Sequence, residues 1–157
     1  MNINTVREEL IHTLKGDQAH IPIENIIRDF PEDKINSHIT EVPYTPWQLL
    51  EHMRLTQRDM LDYIQDPGYK EPVWPDDYWP AKDKTASEED WNNSVNQFRQ
   101  DLRSLEDIIN DPQSDLTAAL PHNPKHTIFR EICIIGNHNS YHGGQLLIFK
   151  RVFKIHK

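Results

Sequence analysis

Nine of the 157 residues are histidines, and the spacing of two of them is suited to metal chemistry. His138 and His142 lie four residues apart, so on an α-helix their side chains would share one face. The same face carries Ile135 and Leu146, which makes it the face expected to turn towards the core. Because an unpaired buried polar group costs about 1–3 kcal/mol, two imidazoles on that face need partners.

His52 presents the same problem on a second amphipathic segment, where it lies in register with Leu49 and Tyr63. A single core histidine is usually only hydrogen-bonded, and that alternative applies to each of the three residues taken alone. A divalent metal would satisfy all three imidazoles at once. We therefore predict that His52, His138 and His142 converge on one metal-sized point. Three neutral imidazoles suit zinc, nickel, copper or iron alike.

Other metal sites and other histidines are less favoured. His122 and His126 show the same spacing, but Pro124 separates them in a polar loop, so we expect both to face solvent. The sequence contains no His-Glu-x-x-His motif, and its single cysteine excludes a structural zinc finger. No role is predicted for three further histidines in polar or terminal contexts: His12, His38 and His156.

His20 is the one candidate for a catalytic group outside the triad. It follows Ala19 at a break between two helical stretches, from which a histidine could reach a cleft and transfer a proton. The alternative is an ordinary surface turn residue.

Helices must position these residues, since strand signals are nearly absent. Apolar spacing of three to four residues and helix-capping residues predict four long helices and one short helical stretch. Their expected ranges are 4–15, 23–30 (short), 46–64, 88–110 and 128–153. Four long helices with one long crossover predict an all-α bundle.

The stretch 67–86 separates the second and third long helices, and it contains three prolines and three large aromatic residues within 72–80. This composition predicts an aromatic-rich irregular loop. The loop could cover the open end of the bundle or bind another chain.

Length and charge limit the function classes. A chain of 157 residues suits a single domain, 1–157. Its formal net charge of −8 argues against duplex DNA or an anionic membrane as partner. No apolar run reaches the length of about 18 residues that a membrane span needs, and residues 1–16 lack the order of a signal peptide. We therefore expect a cytoplasmic protein, and the lone Cys133 offers no internal disulfide.

Three motifs, PWQLLEH (46–52), WPDDYWP (74–80) and HNSYHGGQL (138–146), together resemble the DinB/YfiT-like superfamily. The resemblance extends over nearly the whole chain. It implies a four-helix bundle in down-up-up-down order, often a homodimer, in which His52, His138 and His142 bind zinc or nickel, with iron or manganese as alternatives. Asn137 stands where relatives often carry aspartate, which could weaken metal binding.

The resemblance leaves the activity open. Relatives include thiol S-transferases that use bacillithiol or mycothiol, a thiol-dependent isomerase and metal-dependent hydrolases. We favour transfer of a low-molecular-weight thiol to an electrophilic small-molecule substrate, because neither histidine motif contains an obvious carboxylate base for hydrolysis. Glu51 is next to His52 in sequence and should point elsewhere on the helix. The alternatives are a hydrolase that uses metal-bound water, and a non-catalytic metal-stabilised bundle or interaction module.

A homodimer is also expected from the residues themselves. The first helix has a narrow apolar stripe, and the last helix has apolar residues on more than one side. Packing within one chain should leave part of this surface uncovered. The residues concerned on the last helix are Ile132, Ile134, Leu147 and Val152.

Overall fold

The computed structural model describes residues 2–153, and these are mostly helical, as the sequence predicts. His156, to which no role was assigned, lies outside the described residues. Within them, no helix has the length and hydropathy of a membrane span. The helices are α1 (Ile3–Lys15), α2 (Ile23–Ile27), α3 (Pro46–Gln65), α4 (Glu88–Asn110) and α5 (Ile128–Val152), with a 3₁₀ turn at Glu32–Lys34.

The predicted caps fix where the two central helices begin. The Thr45 side chain accepts a hydrogen bond from the Gln48 backbone N–H, and the Gln48 side chain accepts one from the Thr45 backbone N–H. Ser87 and Asp90 form the same reciprocal pair at the start of α4. Because each pair satisfies two N–H groups that would otherwise lack partners, α3 and α4 begin at defined residues.

A polar contact in the core aligns α3 with α5. The side chains of Gln57 on α3 and Asn139 on α5 are almost fully buried, and the Asn139 amide donates to Gln57 Oε1 over 2.8 Å. Gln57 in turn donates to the Phe98 carbonyl of α4 over 2.7 Å. Since buried polar groups are costly without partners, this chain of bonds favours a single register between the helices. Asn139 follows His138 directly, so the same register sets the position of His138 along α5 relative to α3.

Apolar side chains surround this contact in two clusters. One lies around Trp47, Met53 and Leu146, and the other around Leu14 and Ile135. Helix α3 packs against α4 and α5, while α1 packs against α4 and α5. The face shared by α3 and α5 therefore lies inside the protein.

A two-stranded antiparallel ribbon precedes α5, where no strand was expected. Its strands are β1 (Ala119–Leu120) and β2 (Asn123–Thr127), and Leu120 pairs with Asn123. Leu120 is buried and anchors the ribbon to the core. The strands are too short for an alternating pattern to reveal them.

Candidate metal centre

Three histidines from two helices meet at one point. His52 on α3 and the pair His138 and His142 on α5 each offer a ring nitrogen, and these nitrogens all lie within 4.8 Å of one another. The Nε2 atoms of His52 and His138 are 3.2 Å apart. The predicted convergence is therefore confirmed.

Hydrogen bonds orient two of the rings. His52 Nδ1 is 2.8 Å from the Tyr78 carbonyl, and His142 Nδ1 is 2.6 Å from Gln145 Oε1. A carbonyl oxygen can only accept, so each Nδ1 carries the proton and each Nε2 keeps a free lone pair. This arrangement is typical of metal-binding histidines, whose second nitrogen donates to a neighbouring oxygen.

The environment keeps the imidazoles neutral. Burial, together with the neighbouring His142, lowers the pKa of His52 to about 4, although the bond to the Tyr78 carbonyl acts in the opposite direction. Burial and the two neighbouring histidines lower the pKa of His138 to about 3. Burial also lowers the pKa of His142, against the effect of Gln145. All three rings are therefore unprotonated at neutral pH and available as ligands.

The donor set fits a divalent transition metal. Two nitrogens bound to one tetrahedral zinc at about 2.0–2.1 Å would lie roughly 3.3 Å apart, close to the separation of the His52 and His138 nitrogens. Among residues 2–153, no fourth histidine, cysteine or carboxylate joins the group. Three protein ligands without a fourth are typical of catalytic rather than structural zinc sites.

Aromatic residues from the segment between α3 and α4 lie over the triad. The indole of Trp79 stacks on the His52 imidazole, with ring centroids 3.8 Å apart and planes 4° apart. Tyr44, which precedes α3, stacks on Trp79 in turn, with ring centroids 5.4 Å apart. Trp74 approaches the edge of His52, with its ring centroid 6.4 Å away. Trp79 therefore covers one face of the His52 ring.

Two anchors on α3 hold that segment in place. The Gln48 amide donates to three carbonyls, those of Ala81, Lys82 and Lys84. On the other side of His52, Asp59 accepts hydrogen bonds from the hydroxyls of Tyr69 at 2.6 Å and Tyr78 at 2.8 Å. Asp59 thereby fixes the residue whose carbonyl orients His52. Neither role was predictable from the sequence, because any residue type supplies a backbone carbonyl such as that of Tyr78, and the tyrosines that bind Asp59 lie 10 and 19 positions away.

His20 lies apart from the three converging histidines. Its Nε2 is 2.9 Å from Ser140 Oγ, and its Nδ1 is 3.0 Å from the Ile21 carbonyl. Ser140 is two residues from both His138 and His142, so it points about 200° around the helix from each. A catalytic role for His20 stays a prediction.

The expectation that His122 and His126 face solvent is wrong. Both are half-buried, and the ring nitrogens of His122 are buried without a hydrogen-bond partner. The Tyr63 hydroxyl donates to His126 Nδ1 over 2.8 Å, and the His122 ring lies edge-on to Tyr63 at 4.6 Å. The polar loop sequence concealed this burial, because the ribbon folds back against α3.

Asn137, Glu51 and Cys133 do not supply the oxygen atoms that orient the rings of His52 and His142. Asn137 is exposed, and the Nδ1 partners of His52 and His142 come from elsewhere. Glu51 binds Arg54 and Ser94. Cys133 is half-buried, and burial raises the pKa of its thiol, so it is a poor nucleophile.

Comparison with known proteins identifies one family. The family model of the DinB superfamily matches residues 17–146, a span that includes all three histidines of the triad. No curated protein and no solved structure matches the chain.

Proposed function

The chain belongs to the DinB superfamily, and from that premise we propose that it is a metal-dependent enzyme that transfers a low-molecular-weight thiol to an electrophilic small molecule. The observation that carries the proposal is a triad of neutral imidazoles with no fourth protein ligand among the described residues. On the same proposal, α1, α3, α4 and α5 form the family's four-helix bundle in down-up-up-down order, with the aromatic segment between its second and third helices.

A divalent ion, preferably zinc or nickel, would lower the pKa of a bound thiol so that a thiolate exists at neutral pH. Residues of this chain would support the bound ion in three ways. The Tyr78 carbonyl and Gln145 hold the His52 and His142 rings with Nε2 facing the centre. Trp79 excludes water from one side of His52. Burial keeps His138 unprotonated.

Among residues 2–153 no carboxylate joins the triad as a ready general base, which supports thiol transfer over hydrolysis. The nearest carboxylate in sequence to the triad, Glu51, is held by Arg54 and Ser94. Hydrolysis needs a group that takes a proton from water, whereas a thiolate is already deprotonated. Hydrolysis is the second candidate. The third candidate is a purely structural metal that connects α3 to α5. A set of three protein ligands argues against it, because structural zinc sites usually have four.

We also propose that the protein is a homodimer through α5. Three exposed apolar residues on this helix recur at intervals of seven: Ile134, Tyr141 and Ile148, which are 39%, 64% and 52% exposed. Spacing of seven residues keeps side chains on one stripe of a helix, as in paired helices. Ile132, one of the residues on which the expectation was based, is fully buried and cannot contribute.

The test of the activity uses untagged protein, because a histidine tag would bind metal itself. Metal content is measured first. The protein is then given a panel of electrophiles with and without cysteine, coenzyme A, bacillithiol or mycothiol. We expect metal-dependent loss of one thiol together with the electrophile, and loss of this activity in His142→Ala. Rapid hydrolysis of esters or amides without thiol, and no gain on adding it, would favour the second candidate instead.

A further inference from the structure

A cavity of about 650 Å³ lies beside the triad, and the metal chemistry does not account for its lining. Four aromatic side chains form much of its wall: Tyr63, Tyr69, Trp74 and Tyr78. We call this cavity the tyrosine pocket. Its walls come from α3, β2, α5 and the segment between α3 and α4.

The tyrosine pocket begins one helical turn from the triad on both helices. Thr56, which lines the pocket, lies four residues after His52 on α3. Ile134, on the opposite wall, lies four residues before His138 on α5. Residues four apart share a helix face, so the pocket and the triad occupy one continuous groove.

The negative charge of Asp59 in the tyrosine pocket is not balanced by a cation of the described residues. Asp59 lines this pocket, and the partners of its carboxylate are the two tyrosine hydroxyls rather than a cation. Within residues 2–153, no lysine, arginine or histidine forms an ion pair with Asp59. The pocket's guanidinium, that of Arg130, is bound to the buried carboxylate of Glu131 at 2.5 Å. A carboxylate between aromatic rings is complementary to a positive charge.

The two tyrosines that bind Asp59 stay protonated. Burial and the hydrogen bond to Asp59 raise the pKa of Tyr78 to about 12 and raise the pKa of Tyr69 as well. Both residues therefore donate at neutral pH and add no second negative charge. Their rings remain as neutral walls on either side of the carboxylate.

Two buried polar groups in the pocket lack a partner. Neither ring nitrogen of His122 makes a hydrogen bond, and neither does Thr56 Oγ1. Both residues line the pocket. Native proteins rarely leave such groups unpaired, because each costs about 1–3 kcal/mol. Since these atoms are themselves buried, a ligand would reach them only by displacing the side chains that cover them.

We propose that the tyrosine pocket binds a small organic cation, an amine or ammonium group on an aromatic or apolar body, and that this is the substrate class of the thiol transfer. The second half rests on the proposed function, whereas the binding itself does not require metal. Asp59 and the aromatic rings recognise the positive charge. The apolar body packs on Met60 and Ile134.

The test compares three probes of nearly equal shape: 2-phenylethylammonium, the neutral 2-phenylethanol and the anion 3-phenylpropionate. Their binding to the 157-residue chain is followed by amide chemical shifts in NMR, once with metal and once after chelation. The Asp59→Asn variant keeps an acceptor for the tyrosines but removes the charge. Asp107→Asn, an exposed residue on α4, is the matched control for the loss of one charge.

We expect the ammonium probe to bind in both metal states, with shifts at Thr56, Tyr63 and Tyr69, and at least tenfold more tightly than the alcohol or the anion. Asp59→Asn should abolish this preference while Asp107→Asn keeps it. Equal affinity for the three probes, no binding at millimolar concentrations, or an unchanged preference in folded Asp59→Asn would overturn the inference. Binding only in the metal-loaded state would do the same, since the amine would then be a metal ligand. None of these results depends on catalysis, so the proposed function is judged separately by its own assay.

Discussion

The Trp79 indole and the His52 imidazole lie parallel, 3.8 Å apart between centroids and 4° between planes. The imidazole is thus held by a stacking contact on one side and by the Tyr78 carbonyl at its Nδ1 edge. Two successive residues of one segment therefore orient a single candidate ligand. This relationship links the aromatic segment directly to the triad.

Replacing Trp79 by leucine should weaken metal binding about tenfold. The substitution removes the flat surface that restrains His52, and neighbours that orient ligands typically contribute 10–100-fold to metal affinity. Competition with a chromogenic chelator measures the affinity. Trp74→Leu is the control, because Trp74 is 67% exposed. An equal loss in both variants would contradict a specific role for the stack.

The His142→Ala variant should lose metal before it loses its fold. The helix and its buried neighbours Leu146 and Phe149 remain, while one of three ligands is removed. We expect a loss in metal affinity of at least about 100-fold, with an unchanged far-ultraviolet circular dichroism spectrum. His38→Ala, an exposed histidine, serves as the control. Stoichiometric tight binding by His142→Ala would exclude this triad as the metal site.

The metal-free protein should lose stability as the pH falls below about 6.5. Unfolded histidines take up protons near that pH, whereas burial keeps folded His52 neutral down to about 4 and folded His138 neutral down to about 3. The unfolded state therefore binds more protons in this window, and the free energy of unfolding falls with pH. The slope is up to about 1.4 kcal/mol per pH unit for each histidine. Above pH 6.5 this contribution is complete.

Urea unfolding in the presence of a chelator, from pH 7.5 to 4.5, measures that slope. His138→Asn should reduce it, because a histidine that burial keeps neutral over this whole range is gone. His38→Asn should leave it unchanged. A slope that is the same in His138→Asn as in the unaltered protein would show that His138 does not contribute.

Replacing His122 by phenylalanine should stabilise the protein by about 1 kcal/mol, or roughly 2–4 °C in Tm. The ring contact with Tyr63 is kept, and two buried nitrogens without partners are removed. His126→Phe is the matched control and should destabilise, because it breaks the bond from the Tyr63 hydroxyl. Calorimetry distinguishes the two. Destabilisation by both variants would mean that His122 is not an unsatisfied group.

Sedimentation equilibrium at micromolar concentration should give twice the chain mass of 18.6 kDa. Ile148→Glu should shift the protein to the monomer, since a charge within a buried apolar stripe is costly. Val73→Glu changes an apolar residue of similar exposure outside α5 and should leave the dimer intact. A monomeric unaltered protein would refute the proposed α5 interface.

Much of this protein was predictable because the signals are local. Spacing along single helices predicted α3, α4 and α5, and the caps at Thr45 and Ser87 marked where two of them begin. The same spacing identified His52, His138 and His142, because an imidazole on a core face requires a partner wherever the helix packs. These conclusions depend only on residues within one or two turns of each other.

Contacts between distant segments decided the rest. The oxygen that orients His52 belongs to the backbone of Tyr78, and any residue type supplies a backbone carbonyl. The burial of His122 depends on Tyr63, which is 59 positions away, whereas its own neighbours Pro121 and Asn123 form no apolar pattern. The axial register between α3 and α5 depends on the buried hydrogen bond between Gln57 and Asn139. The sequence by itself therefore determined the candidate ligands, and the tertiary structure determined how they are held and what lies beside them, because packing between segments leaves no periodic pattern in either one.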